Sequence, residues 1–320
     1  MRKYLSLFVT CAMMLVVSSA MAAYPERPVR LVVPYSAGGS TDTVARLVAS
    51  RLTERMGQQF VVDNRTGAGT IIGTEIVARS APDGHTLLMA TPPLAVNPSL
   101  YEKVPYVLAR DFAAVTNVAA SSNLLVIHPS VPATSTRELI DLLKANPGKY
   151  TYGSSGVGGA GHLAMALFVS IAGTNAVHVP YKGGAPAVAD LVAGRLSLMM
   201  ANLTTAQPHI RSGRLRALGI GTQSRSKLFP ELPTIAESGV PGYEANNWNG
   251  VVAPAGTPKA VIERLRREIA AILKEPVIAD RMAKSALEPI GDTPAEFARY
   301  LKAEADKWGK LVKKAGIRAE

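Results

Sequence analysis

The sequence predicts an α/β fold built from two units, and three observations carry that expectation. Strand-like and helix-like segments alternate from Tyr24 onward. Two glycine-rich turns, one in each unit, each join a strand to a helix. No internal repeat or low-complexity linker separates the units, so they belong to one continuous architecture.

The elements follow in order. Val29-Arg30-Leu31-Val32-Val33 is a short β-branched run, and the helical pattern after it puts Val44, Leu47, Val48 and Leu52 on one face until Gly57 stops it. Phe60-Val61-Val62 reads as a strand, Ile72 to Ala78 as a helix, and the turn Pro82-Asp83-Gly84 leads to the strand Thr86-Leu87-Leu88-Met89. This βαβαβ order predicts a mostly parallel sheet covered by helices.

A second series begins at Leu124-Leu125-Val126-Ile127. Ser135 with Glu138 forms a capping box for a helix that Pro147-Gly148 ends. Strand Tyr150-Thr151-Tyr152, a helix from His162 to Ile171, strand Val177-His178-Val179 and a helix after Pro186 follow, then strands Leu196 to Met200 and Leu215 to Leu218. Beyond Trp248 come strand Val251-Val252 and two helices. Thr257-Pro258 opens the first, with Ile262, Leu265, Ile269 and Ile272 on its face, and Thr293-Pro294 with Glu296 opens the second, which carries Phe297, Tyr300, Leu301 and Trp308. Crossings between the units are expected near Ala120 and Trp248. One lobe is then residues 23–121 plus 248–320, and the other is residues 122–247.

Ahead of Tyr24, Arg2 and Lys3 precede an apolar run from Leu5 to Val17, and Ala20-Met21-Ala22 supplies a small-x-small cleavage pattern. Residues 1–22 therefore read as a secretory signal peptide that sends the chain to the periplasm. The run is shorter than the roughly 20 residues a spanning helix needs. Cys11, the only cysteine, lies inside it, so the processed chain has no thiol for disulfides, catalysis or metal binding. The net charge of +11 includes Arg2 and Lys3; the remaining basic residues are scattered without dense runs or interleaved aromatics. That pattern argues against nucleic acid and for a mildly basic surface that favours small anions.

The two glycine turns are the candidate site. The first runs through Tyr35, Ser36, Ala37, Gly38, Gly39, Ser40, Thr41 and Asp42. The second runs through Ser154, Ser155, Gly156, Val157, Gly158, Gly159, Ala160, Gly161 and His162. Glycine lets the backbone approach a ligand, and the helix that follows offers unpaired N–H groups with a partial positive charge. An anion held between two such turns needs no lysine or arginine. Asp42 either caps its helix or faces a ligand amine. Thr91 ends a strand and offers a hydroxyl, while Tyr181 and Lys182 follow a strand and are candidates for the cleft wall. Trp248 either stacks on the ligand or fills the hinge.

Catalytic signals are weak. The histidines His85, His128, His162, His178 and His209 have no metal-ligand spacing, and neither a G-x-S-x-G elbow nor a Walker lysine occurs. Gly156, Gly158 and Gly161 fit G-x-G-x-x-G, but no acidic residue follows at ribose-binding distance, so no dinucleotide is expected. No catalytic residue, metal or cofactor is expected. The alternative is an exported serine hydrolase with Ser155 as nucleophile.

An ordered set of segments resembles the tripartite tricarboxylate transporter substrate-binding receptors, the Bug (Bordetella uptake gene) family. They are Tyr24-Pro25 with Pro28-Val29-Arg30, Pro34 to Asp42, Asp63-Asn64-Arg65 with Gly67-Ala68-Gly69, Pro82-Asp83-Gly84, Tyr152 to Leu163, Val179 to Gly183, Leu232-Pro233-Thr234, Pro241 to Glu244 and Ala253 to Pro258. The resemblance implies a type 2 periplasmic-binding-protein fold, two lobes closing at a hinge on a di- or tricarboxylate, an acidic amino acid or an aromatic acid. It also implies a monomer whose partner is a tripartite tricarboxylate transporter membrane complex or a sensor. Three positions depart from the family pattern: Ser40 stands for a third glycine, Ala201 before Asn202 for an aspartate, and Asn249 for an aromatic residue. Asn202 is included among the candidate ligand contacts on this resemblance.

Overall fold

The computed structural model describes residues 24–222, 224–225, 229–285 and 287–315; the signal-peptide reading falls outside them. In the first half, β1 (Val29–Val33) lies between β2 (Phe60–Asn64) and β3 (Thr86–Ala90), parallel to both. Helix α1 (Ser40–Met56) covers one face, burying Val44, Ala45, Val48 and Leu52 against Val29, Leu31 and Val33. Helix α2 (Ile71–Ala78) packs Val77 on the opposite face with Val32 and Leu88. Helix α3 (Pro93–Leu100) and a single turn, α4 (Leu108–Asp111), follow.

The sheet then departs from the parallel pattern. Strand β4 (Phe112–Ile127) is sixteen residues long and runs antiparallel to β9 (Asn246–Pro254) through the pair Ser122↔Asn246. From Asn123 it pairs instead with β7 (Leu198–Asn202), beginning at Asn123↔Asn202. β4 and β9 are thus a central antiparallel pair between two parallel sets, where the sequence suggested a mostly parallel sheet.

The second half comprises α5 (Thr136–Ala145), β5 (Thr151–Ser154), α6 (Ala160–Ala172), β6 (Val177–Pro180), α7 (Gly184–Val192), β7, α8 (Leu203–Arg211) and β8 (Arg216–Ile220). Its parallel set is β7-β5-β6, and the sheet order across the molecule is β2-β1-β3-β9-β4-β7-β5-β6, with β8 and β10 (Leu287–Pro289) also bound to β4. After β9 come α9 (Lys259–Leu273), α10 (Pro276–Lys284) and α11 (Pro294–Ala315).

Local capping follows the sequence in two of three places. Ser135 Oγ accepts from the Glu138 N–H at 3.2 Å, although the Glu138 carboxylate reaches Thr134 rather than Ser135. Thr293 and Glu296 form the full reciprocal box, at 3.2 and 2.9 Å. Thr257 does not cap α9; its hydroxyl donates to Pro254 C=O instead, and Pro258 occupies the cap position.

Helix α11 joins the halves. Phe297 and Leu301 belong to the core around Val32 and Trp248, while Trp308 and Val312 belong to the core around Leu125 and Phe168. Glu304 lies between them, buried, and its Oε2 accepts from the indole N–H of Trp248 at 3.0 Å and of Trp308 at 2.9 Å.

Candidate ligand-binding site

The parallel strands of both halves end toward one cavity, where the helices that follow them begin. Gly39, Ser40 and Thr41 contribute from the start of α1, Ala160 and Gly161 from α6, Gly184 from α7, and Asn202 and Thr205 from α8. Tyr35, Thr91, Asn123, Ser155, Met199, Met200 and Asn247 complete the wall. The cavity is narrow, about 40 Å3. Among the described residues, no lysine, arginine, aspartate or glutamate lines it.

Helices α1, α6 and α7 have glycine at the cap position, Gly39, Gly159 and Gly183, and none receives a side-chain cap. Their first N–H groups therefore remain available, with the positive ends of three helix dipoles converging. Each terminus stabilises an anion by about 0.3–2 kcal/mol. Only α8 is capped from within, by Asn202 Oδ1 accepting from the Thr204 N–H at 3.0 Å. Gly161 has a packing reason as well: a Cβ there would stand 2.6 Å from Met200 C=O, so α6 could not approach β7 this closely.

Seven candidate residues meet at the cavity: Tyr35, Gly39, Ser40, Thr41, Thr91, Ser155 and Asn202. The Tyr35 hydroxyl is hydrogen-bonded with Thr91 Oγ1 at 3.3 Å, and Ser155 of the second half lines the same cavity. Burial pushes the Tyr35 phenol up to about 12, so it stays a neutral donor.

The other candidates support the site without lining it. Asp42 is buried; its carboxylate accepts from Gly38 N–H at 3.0 Å, Arg46 Nε at 2.9 Å and Asn64 Nδ2 at 3.0 Å. Burial alone would raise its pKa, but these donors outweigh it and hold the carboxyl below the ordinary range. Asp42 fixes the first turn and faces no amine. Ser36 N–H donates to Lys182 C=O at 3.1 Å, so this stretch is a contact between the halves rather than part of the wall. Tyr181 turns away, its hydroxyl donating to Asp190 at 2.7 Å.

The second glycine turn is held from below by stacked rings. His162 and His178 stand 4.1 Å apart between centroids, with Tyr152 4.8 Å from His178. His162 Nδ1 accepts from Gly158 N–H at 3.0 Å, and Ser154 Oγ, fully buried, pairs with His178 Nε2 at 2.7 Å and with Gly156 N–H at 3.1 Å. Burial pushes the His162 imidazole down to about 4; burial first, and then the His162 charge, push His178 down to about 3. Gly156, Val157 and Gly158 therefore shape the turn, while Ser155 alone of its middle residues reaches the cavity.

Several wall residues escaped the sequence reading. Asn123 and Asn247 sit among other polar strand residues, Ser121 and Ser122 in β4 and Asn246 and Asn249 in β9, and so did not stand out. Gly184 belongs to a third strand-to-helix glycine turn, Gly183-Gly184. Met199 and Met200 look like ordinary strand residues, and only the β4–β7 pairing brings them here.

Two lobes, a shared antiparallel pair and a cleft rimmed by helix N-termini define a solute-binding receptor of the periplasmic-binding-protein class. The comparisons agree. Residues 44–317 match the family described as tripartite tricarboxylate transporter family receptor, and the chain belongs to that family. A UPF0065 protein from the tcbD-tcbE intergenic region of Pseudomonas sp. strain P51 is 42% identical over 295 residues, 91% of this chain and 87% of the relative. Protein BugT of Bordetella pertussis is 38% identical, covering 92% and 91%. Among solved structures, R. palustris Rpa4515 with adipate is 40% identical with a TM-score of 0.89, covering 92% of this chain and 99% of that one. MatC from Rhodopseudomonas palustris with bound malate is 28% identical with a TM-score of 0.85, covering 90% and 100%. The family consists of periplasmic receptors rather than enzymes. The hydrolase alternative gains no support. The serine that meets a histidine, Ser154, is fully buried and does not line the cavity.

Proposed function

We propose that this chain captures a small carboxylate in the cleft by backbone N–H groups and hydroxyls, for uptake or sensing. The observation that carries the reading is the meeting of three glycine-capped helix N-termini around a wall without charged side chains. Hydrogen bonds to a charged group contribute about 1.5–3 kcal/mol each, so three or four supply about 5–12 kcal/mol, and the three helix termini and burial of the ligand help offset the cost of association. The adipate and malate held by the two similar structures support the same ligand class. The lobes are residues 23–121 with 248–320, and 122–247, in keeping with the exchange of β4 partners at Ser122 and Asn123. Residues 1–22 direct export, the processed chain is a monomer, and it delivers its ligand to a tripartite transporter complex or a sensor.

A thermal-shift screen of small carboxylates on the processed chain, followed by calorimetry, tests this. A ligand at 100 times its Kd adds about 2.7 kcal/mol of stability. Stabilisation by cations or sugars, with none by any carboxylate, would overturn the reading.

A further inference from the structure

We propose that Asn249 is a specificity-determining residue of the cleft and that it selects carboxylates bearing a hydroxyl over their unsubstituted counterparts. The proposal rests on the carboxylate-receptor reading above. Asn249 has no exposed surface, yet among the described residues neither its Oδ1 nor its Nδ2 has a hydrogen-bond partner. A buried amide with both ends unsatisfied is costly, and the native fold gains nothing from it.

Its position explains what it serves. Asn249 lies two residues from Asn247 on β9, hence on the same face of the strand, and Asn247 lines the cavity. On one side it pairs with Ala119 of β4. On the other, β3 and β9 are in register at Ala90↔Gly250, and one further step sets Thr91, another wall residue, opposite Asn249. Side chains so paired stand about 4.5–5.5 Å apart at Cβ. Asn249 therefore sits behind the wall at the Thr91 position, without itself lining the cavity.

Among the described residues, three asparagines line the cavity, and each already makes a hydrogen bond. Asn202 accepts from Thr204 N–H and donates to Ser121 at 2.5 Å. Asn123 donates to Ala245 C=O, and Asn247 Oδ1 accepts from Trp248 N–H. Of these four, Asn249 is the one whose amide is buried with neither its donor nor its acceptor bonded among the described residues. A carboxylate would take the Nδ2 hydrogens but turn its own negative oxygens on Oδ1. A hydroxyl satisfies both ends, donating to Oδ1 and accepting from Nδ2. The glycine-capped helices hold the charge, and Asn249 reads the substituent.

Calorimetry with matched pairs tests this: succinate and malate, glutarate and 2-hydroxyglutarate, benzoate and salicylate. The wild-type chain is expected to favour the hydroxylated member of at least one pair by about tenfold, the worth of one buried hydrogen bond. Asn249→Leu should reduce that preference to within about twofold while melting no lower than wild type, because it removes two unsatisfied groups. Asn249→Ala replaces it if the leucine variant does not fold. Equal affinities within every pair that binds, or a hydroxyl preference that survives both variants, overturns the role of Asn249 and leaves the receptor reading standing. Failure of every acid to bind, when other solute classes do, overturns the receptor reading and this inference with it.

Discussion

Alanine at Gly39 is expected to weaken ligand binding and spare the fold, whereas alanine at Gly158 does the reverse. Gly39 has φ −79° and ψ 172°, an extended conformation open to any residue, and a Cβ there meets only Ser36 C=O at 3.7 Å. Reduced freedom of the unfolded chain then favours the variant by about 0.4–1 kcal/mol. Gly39 lines the cavity, however, and caps α1, so a methyl group intrudes where an anion meets the helix. Losing one charge-assisted hydrogen bond costs about 1.5–3 kcal/mol, roughly 10- to 100-fold in affinity. Gly158 has φ +73°, and a Cβ would lie 2.7 Å from both Asn97 Oδ1 and Leu100 Cδ1. The left-handed backbone costs about 1–2 kcal/mol for alanine and the overpacking about 1–3 more. Melting curves and calorimetry with the cognate acid on both variants decide the matter. If Gly39→Ala binds like wild type, the α1 terminus does not hold the carboxylate; if Gly158→Ala melts like wild type, the second turn is not the rigid support described here.

Three further outcomes follow from the same geometry. Lys182→Ala should change affinity less than twofold by calorimetry, about 0.4 kcal/mol at most, because Lys182 contributes its carbonyl to Ser36 and lies off the wall. Stability should fall as pH drops from about 6.5 toward 4: the unfolded chain protonates His162 and His178 near 6.5, while the folded chain resists until about 4 and about 3. For buried His162 this difference is worth up to about 3 kcal/mol, present above pH 6.5 and lost by about pH 4. Melting temperatures between pH 8 and 5 check it, since most carboxylates titrate lower, and a flat profile would count against the buried pair. Glu304→Leu leaves two buried indole N–H groups unpaired and should cost about 2–4 kcal/mol in denaturant unfolding. Trp248 and Trp308 are the only tryptophans, so their emission should also respond to ligand in the wild-type chain.

Much of the lobe architecture was legible because it rests on local rules. The stripe Val44, Val48 and Leu52 and the stop at Gly57 gave α1, which ends with Gly57 N–H donating to Thr53 C=O. Strand β4 was visible only from Leu124 onward. Its first ten residues are dominated by small side chains such as Ala113, Ala114, Ala119 and Ser121, without the β-branched pattern of a strand. They are extended because β9 pairs with them along their length, a tertiary cause that no local window contains. Pro98 and Pro208 likewise concealed α3 and α8, which tolerate an interior proline near the helix end. In the site, the first turn was readable as a cradle because its glycines directly precede a helix. From the second turn the cavity takes Ser155, Ala160 and Gly161, while Gly156, Gly158 and His162 are tied into holding the turn in shape.

An uncharged wall suits a protein that must both close on an anion and let it go. A lysine or arginine in the cleft would lose its hydration whenever the lobes closed, and its pairing with the ligand would have to recover that cost. The N–H groups of α1, α6 and α7 lose less. They are fixed by their own helices before the ligand arrives and need no side chain to be immobilised. Each also belongs to a different segment, with α1 in the first half and α6 and α7 in the second, so full coordination exists only when the halves are together. In the proposed site the ligand links the two halves, and Tyr35 and Thr91 of the first face Ser155 of the second across the same cavity. On the proposed reading, parting the halves would break that coordination in one motion, so release would depend on how the halves move, with Glu304 tying Trp248 to Trp308, and not on an ion pair.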